Sequence, residues 1–152
     1  MKAMRVMTVD VVCVHPETPV RHASAIMTEM RIRHLPVVAN RLLVGILSDR
    51  DILLHTVLKP DGQRWLPEMP VGRAMAIVPI TCRASSTISE VAGLMVNHRI
   101  DAVPVVDTSN SLLGLLTSTD LLELLRETEQ VSDVIPFSFS LRKAEDLLAK
   151  AV

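Results

Sequence analysis

At 152 residues, 49% hydrophobic and 22% charged, the chain can fill a core and is one domain's length or two small intertwined halves. Its net charge of −1 and its lack of tyrosine, with two Phe and one Trp, argue against a broad basic surface or a stacking track for nucleic acid. No apolar run approaches a membrane span, and the N-terminus lacks a signal peptide's apolar segment, so neither a membrane nor a nucleic-acid partner is expected.

Met4–Met7 is a lead-in to the first periodic segment. Val11–Val14 is a short β-branched run that reads as a buried strand. At Thr18-Pro19 the threonine is expected as N-cap with proline at the first helical position, and Val20, Ala23, Met27 and Met30 then share one helix face. Leu35–Val38 is a second strand, with Pro36 where no ladder hydrogen bond is needed. Asn40-Arg41 turns into a third strand, Leu43–Leu47, and Asp49 to about His55 closes the unit as a helix. The order is β-α-β-β-α. Lys59-Pro60-Asp61-Gly62 and Pro67-Glu68-Met69-Pro70 are turns around Trp65, making residues 57–70 a short ordered connector.

The chain then repeats itself. Arg31-Ile32-Arg33-His34-Leu35-Pro36-Val37-Val38 is answered by Arg99-Ile100-Asp101-Ala102-Val103-Pro104-Val105-Val106, 68 residues on. The same offset pairs Met7 with Met75, Val20 with Ile88 and Met27 with Met95; it grows to 69 between Asp51 and Asp120, which puts one extra residue in the loop after Val106. The second unit therefore has a lead-in at Val71–Met75, strands at Val78–Thr81, Val103–Val106 and Leu113–Leu116, and helices from Ile88 to about Val96 and from Thr119 to about Glu127. A half this small is marginal alone, so the two should share a core. The expected division is a first repeat over 4–56, the connector, a second repeat over 71–127, and a C-terminal extension over 128–152. In that extension Phe137, Phe139 and a helix over Leu141–Ala151 would cover an exposed edge or a dimer seam.

Gly45-Ile46-Leu47-Ser48-Asp49-Arg50-Asp51 and Gly114-Leu115-Leu116-Thr117-Ser118-Thr119-Asp120 run from buried strand into helix start. A helix start attracts anions, with a hydroxyl to meet phosphate oxygens and an aspartate to accept from sugar hydroxyls. The same Ser/Thr-x-x-Asp is also a reciprocal capping pair that merely closes its helix. Both readings stand at this level.

Cys13 and Cys82 form no CxxC; two buried reduced thiols are expected, with an inter-strand disulfide as the alternative, and the location expected is cytoplasmic. His15, His22, His55 and His98 lack metal-ligand spacing and read as solvated or packed, and the eight methionines read mainly as core filler. No nucleophile stands beside a base, and there is no metal cluster, P-loop or GxGxxG, so a non-enzymatic binding module is expected, with no required cofactor.

The Thr-Pro-Val helix start, Arg-Ile-Arg-His-Leu-Pro-Val-Val, Leu-Val-Gly-Ile-Leu-Ser-Asp-Arg-Asp and their repetition resemble the cystathionine-β-synthase (CBS) domain pair, over roughly Met4 to Leu125. The resemblance implies an α+β fold of two tandem β-α-β-β-α CBS repeats packed as a pseudo-twofold pair, with two clefts that bind adenine nucleotides of AMP, ATP or NAD type. It implies that Asp51 holds a ribose, with Ser48, Arg50, Arg33 and His34 near the phosphate and Met75, Ile80 and Ile100 against the adenine. Asp120 and Thr117 would serve the opposite cleft, with Met7, Val12 and Ile32 around the base. It implies, further, a head-to-head homodimer and signalling to a regulated protein through ligand-dependent rearrangement; the alternative is a structural adaptor with vestigial clefts that docks a partner through its tail. The second copy departs where Asp101-Ala102 replace Arg33-His34 and Thr119 replaces Arg50. On those residues the Asp51 cleft is expected to be the stronger phosphate site, with the Asp120 cleft taking an uncharged nucleoside part or staying empty. His34 reads more readily as a satisfied structural histidine than as a phosphate ligand, and makes binding pH-sensitive only if it reaches the phosphate.

Overall fold

Residues 1–128 are the part of the chain that this computed structural model describes. The expectations for Phe137, Phe139 and a helix over Leu141–Ala151 lie outside the described residues. A 3-10 turn at Ala3–Arg5 precedes α1 (Val20–Met30), the hairpin of β1 (His34–Ala39) and β2 (Leu42–Ser48), and the short α2 (Asp49–Leu54). A small hairpin of β3 (Val57–Leu58) and β4 (Arg64–Trp65) leads to a second 3-10 turn at Val71–Arg73. Then come β5 (Ala76–Ile77), β6 (Cys82–Arg83), α3 (Ile88–His98), β7 (Ala102–Val106), β8 (Leu112–Thr117) and α4 (Ser118–Thr128). The fold is α+β.

Each hairpin is antiparallel and carries a bulge at the same place. Val37 faces Gly45 but Val38 faces Leu43, which leaves Val44 unopposed; Val105 faces Gly114 and Val106 faces Leu112, which leaves Leu113 unopposed. Asn40 and Arg41 both take positive φ, 50° and 68°, as a two-residue turn matched to strand twist requires. The extra residue of the second copy falls in the loop 107–111, where the Asp107 carboxylate accepts from the N–H groups of Ser109 and Ser111.

The lead-ins change places. β5, which follows the second lead-in, adds to β2 of the first unit, with Ile46 opposite Ala76. Thr8, from the first lead-in, bridges to Leu115 in β8. Upstream, Ala3 donates to Ser86 while Val71 donates to Thr18, both at 2.8 Å. Each of these pairs maps onto the other under the repeat offset. The bridge of Leu42 to Ser111 maps onto itself, so the pseudo-twofold axis passes there. The cores follow the exchange. One gathers Val14, Val20, Ala23, Met27, Leu35, Val37, Leu47 and Ile52 with Val71 and Ala74 from the second lead-in. The other gathers Cys82, Val91, Met95, Val103, Val105 and Leu116 with Ala3 from the first. The expected single shared core is thus two cores, each completed by a borrowed segment, because a three-residue turn is the piece each half lacks.

The predicted first strands need correction. Val11–Val14 contributes only a parallel bridge from Val14 to Val37. In the second copy the pairing residues are Cys82 and Arg83, parallel to Val105 and Val106, not Val78–Thr81. A β-branched apolar run satisfies the strand pattern, yet Val78 sits at φ 51°, a left-handed conformation that ends an extended segment. The helix start also shifts by one. Pro19 occupies the N-cap of α1 without a side-chain bond, and Thr18 instead accepts from the His15 N–H at 3.1 Å. Its repeat counterpart Ser86 does the same for Arg83 at 3.2 Å. In the second copy the N-cap of α3 is Thr87, in a reciprocal pair with Glu90. Met30 is 54% exposed, since α1 ends there in left-handed Arg31.

Candidate functional site

Pairing brings His34 opposite Ser48 and Ala102 opposite Thr117, so in each unit the start of one strand lies beside the end of the next. The Arg33 carbonyl accepts from the Asp49 N–H at 3.0 Å, and that of Asp101 from the Ser118 N–H at 2.9 Å. Two hollows form around these junctions. One, the Asp51 cleft, of about 470 Å³, is lined by Arg33, His34, Ile46, Ser48, Asp49, Arg50 and Asp51 and is faced by Arg99, Ile100, Asp101 and Ala102. The other, the Asp120 cleft, of about 370 Å³, is lined by Leu115, Thr117, Thr119, Asp120 and Glu123 and is faced by Asp10, Val12, Arg31, Ile32, Arg33 and His34. Both volumes fall in the ~300–1,000 Å³ range of small-molecule sites.

Three of the residues singled out from the sequence lie outside these linings. Met7 and Met75 are drawn inward instead, each packing against the core that its lead-in completes. The glycines beneath them, Gly114 and Gly45, leave the room their sulfurs fill. Ile80 is half-buried beyond left-handed Val78 and does not line the Asp51 cleft. The charge comparison between the clefts also changes. Arg33 and His34 border both hollows, whereas Asp101 and Ala102 border the Asp51 cleft rather than the Asp120 cleft. Each unit's Arg-Ile-x-x stretch reaches across to the other unit's aspartate. Sequence reasoning missed Asp10, Arg31, Arg99 and Glu123. A signal for the two arginines was available: both occupy the same repeat position, and both end their helix at φ 54°.

The Ser/Thr-x-x-Asp pairs do close their helices. Asp51 Oδ2 accepts from the Ser48 N–H at 2.7 Å and its hydroxyl at 2.6 Å, while Ser48 Oγ accepts from the Asp51 N–H at 3.2 Å. Asp120 and Thr117 repeat this at 2.6, 2.7 and 3.3 Å. One carboxylate oxygen of each aspartate is consumed. The other, Oδ1, makes no hydrogen bond among the described residues. Capping and ligand contact are therefore compatible, one oxygen for each. Among the described residues a single ion pair forms, Arg21 to Glu68 at 3.1 Å, which leaves Arg31, Arg33, Arg50 and Arg99 without a carboxylate partner.

Burial pushes the His34 pKa below the ordinary imidazole value of 6.5; Arg33 adds to the shift, and Asp49, Asp101 and Asp51 oppose it. Burial thus disfavours the charged form of His34 in the free protein, the direction opposite to the protonation considered from the sequence. With the native pKa below the unfolded one, the unfolded chain takes up the proton first as pH falls. This group's contribution to stability is expected to be complete above about pH 6.5 and lost as pH drops through the lower native value. Urea unfolding at pH 7.5 and 5.5 checks it: His34→Gln should shrink the difference in midpoint between the two conditions.

Cys82 is buried but Cys13 is exposed, and both are free. Cys13 points outward, its thiol donating to the Val11 carbonyl at 3.4 Å, because the bridge at Val14 turns that residue inward and its neighbour out. Among the described residues no cluster of His, Cys, Asp or Glu could hold a metal ion, and no helix is long and apolar enough to cross a membrane.

The sequence profile of the CBS domain matches residues 3–57 and 71–127. The CBS domain-containing protein YhcV of Bacillus subtilis is 32% identical over 116 residues, 76% of this chain and 79% of that protein. The inosine-5'-monophosphate dehydrogenase of Korarchaeum cryptofilum is 34% identical over 112 residues, which cover 74% of this chain but 22% of the enzyme. Among solved structures, the CBS domain pair of protein MJ0100, in complex with 5'-methylthioadenosine and S-adenosyl-L-methionine, has a TM-score of 0.73 at 25% identity, covering 85% of this chain and 98% of that one. CBSX2 in complex with AMP has a TM-score of 0.71 at 26% identity, covering 83% and 96%. With both repeats matched and the exchanged, twofold-related sheets in place, the chain belongs to the CBS domain family.

Proposed function

We propose that this protein is a regulatory module that binds adenosine ligands of AMP, ATP or NAD type in its two clefts and carries out no chemistry on them. One observation carries the reading. Each hollow presents an aspartate that keeps one oxygen open after capping its helix, opposite a wall supplied by the other repeat. In this reading Asp51 and Asp120 accept from ribose hydroxyls. Ile46 and Ile100 in one cleft, and Val12, Ile32 and Leu115 in the other, press on the purine faces. The arginines that have no carboxylate partner among the described residues, with Ser48 and Thr117 nearby, meet the phosphates. Ligands of this class occupy the related MJ0100 pair and CBSX2, which supports the choice. A ligand that bridges both repeats favours one arrangement of them, and a regulated protein that distinguishes arrangements reads the signal.

Thermal melting with AMP, ADP, ATP, NAD and S-adenosylmethionine tests it. A ligand at a hundred times its dissociation constant adds about 2.7 kcal/mol, a rise of about 5–10 °C for a chain this size. No rise with any of the five would overturn the reading in favour of a structural adaptor.

The module is also proposed to work as a homodimer. Ile88, Ala92, Met95, Val96, Leu121 and Leu122 line an apolar groove between α3 and α4, with Val96 76% and Leu122 65% exposed. Leu53 and Leu54 on α2 add 57% and 76% exposed side chains. Contiguous apolar surface of this kind marks an interface. Sedimentation should give a dimer for the parent chain and a monomer for Val96→Glu/Leu122→Glu with unchanged circular dichroism; a monomeric parent would refute the dimer.

A further inference from the structure

We infer that the two clefts compete for one cation, Arg33, so that a phosphate-bearing ligand in either cleft weakens the binding of a second in the other. This rests on the adenosine-binding reading above and adds how its two sites regulate each other.

Arg33 borders both hollows. Its repeat counterpart is Asp101, which borders only the Asp51 cleft, so the pair of clefts holds one such arginine where strict symmetry would supply two. Arg33 is exposed and has no carboxylate partner among the described residues. Nothing among the described residues therefore commits its guanidinium to one side.

The charges around each hollow set the outcome once a ligand occupies it. Without Arg33 the Asp51 cleft still has Arg50 and Arg99 against Asp49, Asp51 and Asp101. The Asp120 cleft is left with Arg31 alone against Asp10, Asp120 and Glu123. A first phosphate ligand therefore settles in the Asp51 cleft and draws Arg33 to it. The Asp120 cleft, now dominated by carboxylates, rejects a second phosphate and takes an adenosine that carries none. A shared guanidinium is lost as a charge-assisted donor to one site when it bonds in the other, and linkage makes the penalty reciprocal.

Calorimetric titration of AMP into four proteins tests this: the parent chain, Asp51→Ala, Arg33→Gln, and the two combined. Asp51→Asn, whose amide oxygen can still accept in the helix cap, serves should the alanine variant melt below the titration temperature. The parent should bind AMP in a tight and a weak step. Crippling the Asp51 cleft should tighten AMP at the Asp120 cleft about tenfold over the parent's weak step, within the ~5–150-fold of typical couplings. With Arg33→Gln that gain should vanish. Adenosine should show no gain in either background.

Two results would overturn the competition while leaving the binding reading intact. The first is an Asp120-cleft affinity that does not change when the Asp51 cleft is crippled. The second is a gain that survives Arg33→Gln, because direct repulsion between phosphates needs no shared arginine. Failure of the binding reading looks different: AMP then produces no binding heat in the parent chain.

Discussion

Asp51→Ala is expected to weaken binding of AMP at its own cleft by about 30- to 100-fold while lowering stability by only about 1 kcal/mol. The two effects come from different oxygens. Oδ2 is held by the Ser48 N–H and hydroxyl at 2.7 and 2.6 Å, and losing a cap of this kind costs about 1 kcal/mol. Oδ1 is open among the described residues, and a hydrogen bond to a charged acceptor contributes about 1.5–3 kcal/mol. Ser48→Ala separates them further. It removes the same cap but leaves Oδ1 in place, so it should lose similar stability and much less affinity. Titration calorimetry beside urea unfolding reads both quantities. If Asp51→Ala binds as tightly as the parent chain, the aspartate does no more than end its helix.

Gly45→Val is expected to be the most damaging substitution for stability, at about 3 kcal/mol or more, a fall in melting temperature of about 6–12 °C. A side-chain carbon at Gly45 would lie 2.4 Å from the Met75 sulfur and 2.9 Å from the Ala76 carbonyl oxygen. The methionine can swing aside; the carbonyl cannot, because Ala76 is paired with Ile46 in the ladder. The substitution therefore pries the exchanged lead-in away from the sheet it completes. Gly114 is its twin, with a carbon there 2.7 Å from the Met7 sulfur and 2.8 Å from the Thr8 carbonyl. Met75→Ala in the Gly45→Val background should restore only part of the loss. Gly93 provides the contrast: mid-helix in α3, a side-chain carbon added there would meet nothing within 4 Å beyond its own helix among the described residues, and Gly93→Ala should gain about 1 kcal/mol. Chemical denaturation of the three variants ranks them, and an unharmed Gly45→Val would mean the lead-in is not locked where it lies.

Much of this was legible in the sequence because it rests on local physics. A helix needs an apolar stripe and a stop, and a tight hairpin needs residues that tolerate positive φ. The chain repeats these signals 68 residues apart, so β1, β2, β7, β8 and all four helices fall within two residues of expectation. The first strands did not, since one-residue bridges and two-residue strands carry too little periodicity to locate. Nor was the cap of α1: Thr-Pro at a helix start is a good signal, but in this chain the threonine hydroxyl is taken by a turn that precedes the helix.

The amino-acid sequence by itself determined the duplication, the β-hairpins and helices of each unit, and the hydroxyl–aspartate pairs at two helix starts, since each depends on residues within a few positions of one another. Only the tertiary structure decided that the lead-ins are exchanged, that Met7 and Met75 pack over Gly114 and Gly45, and that Arg33 borders both clefts while Asp101 borders one. The physical reason is that an unpaired sheet edge accepts whichever segment reaches it in register. In this chain the twofold arrangement delivers each edge the segment from the other repeat, a choice that no local pattern encodes.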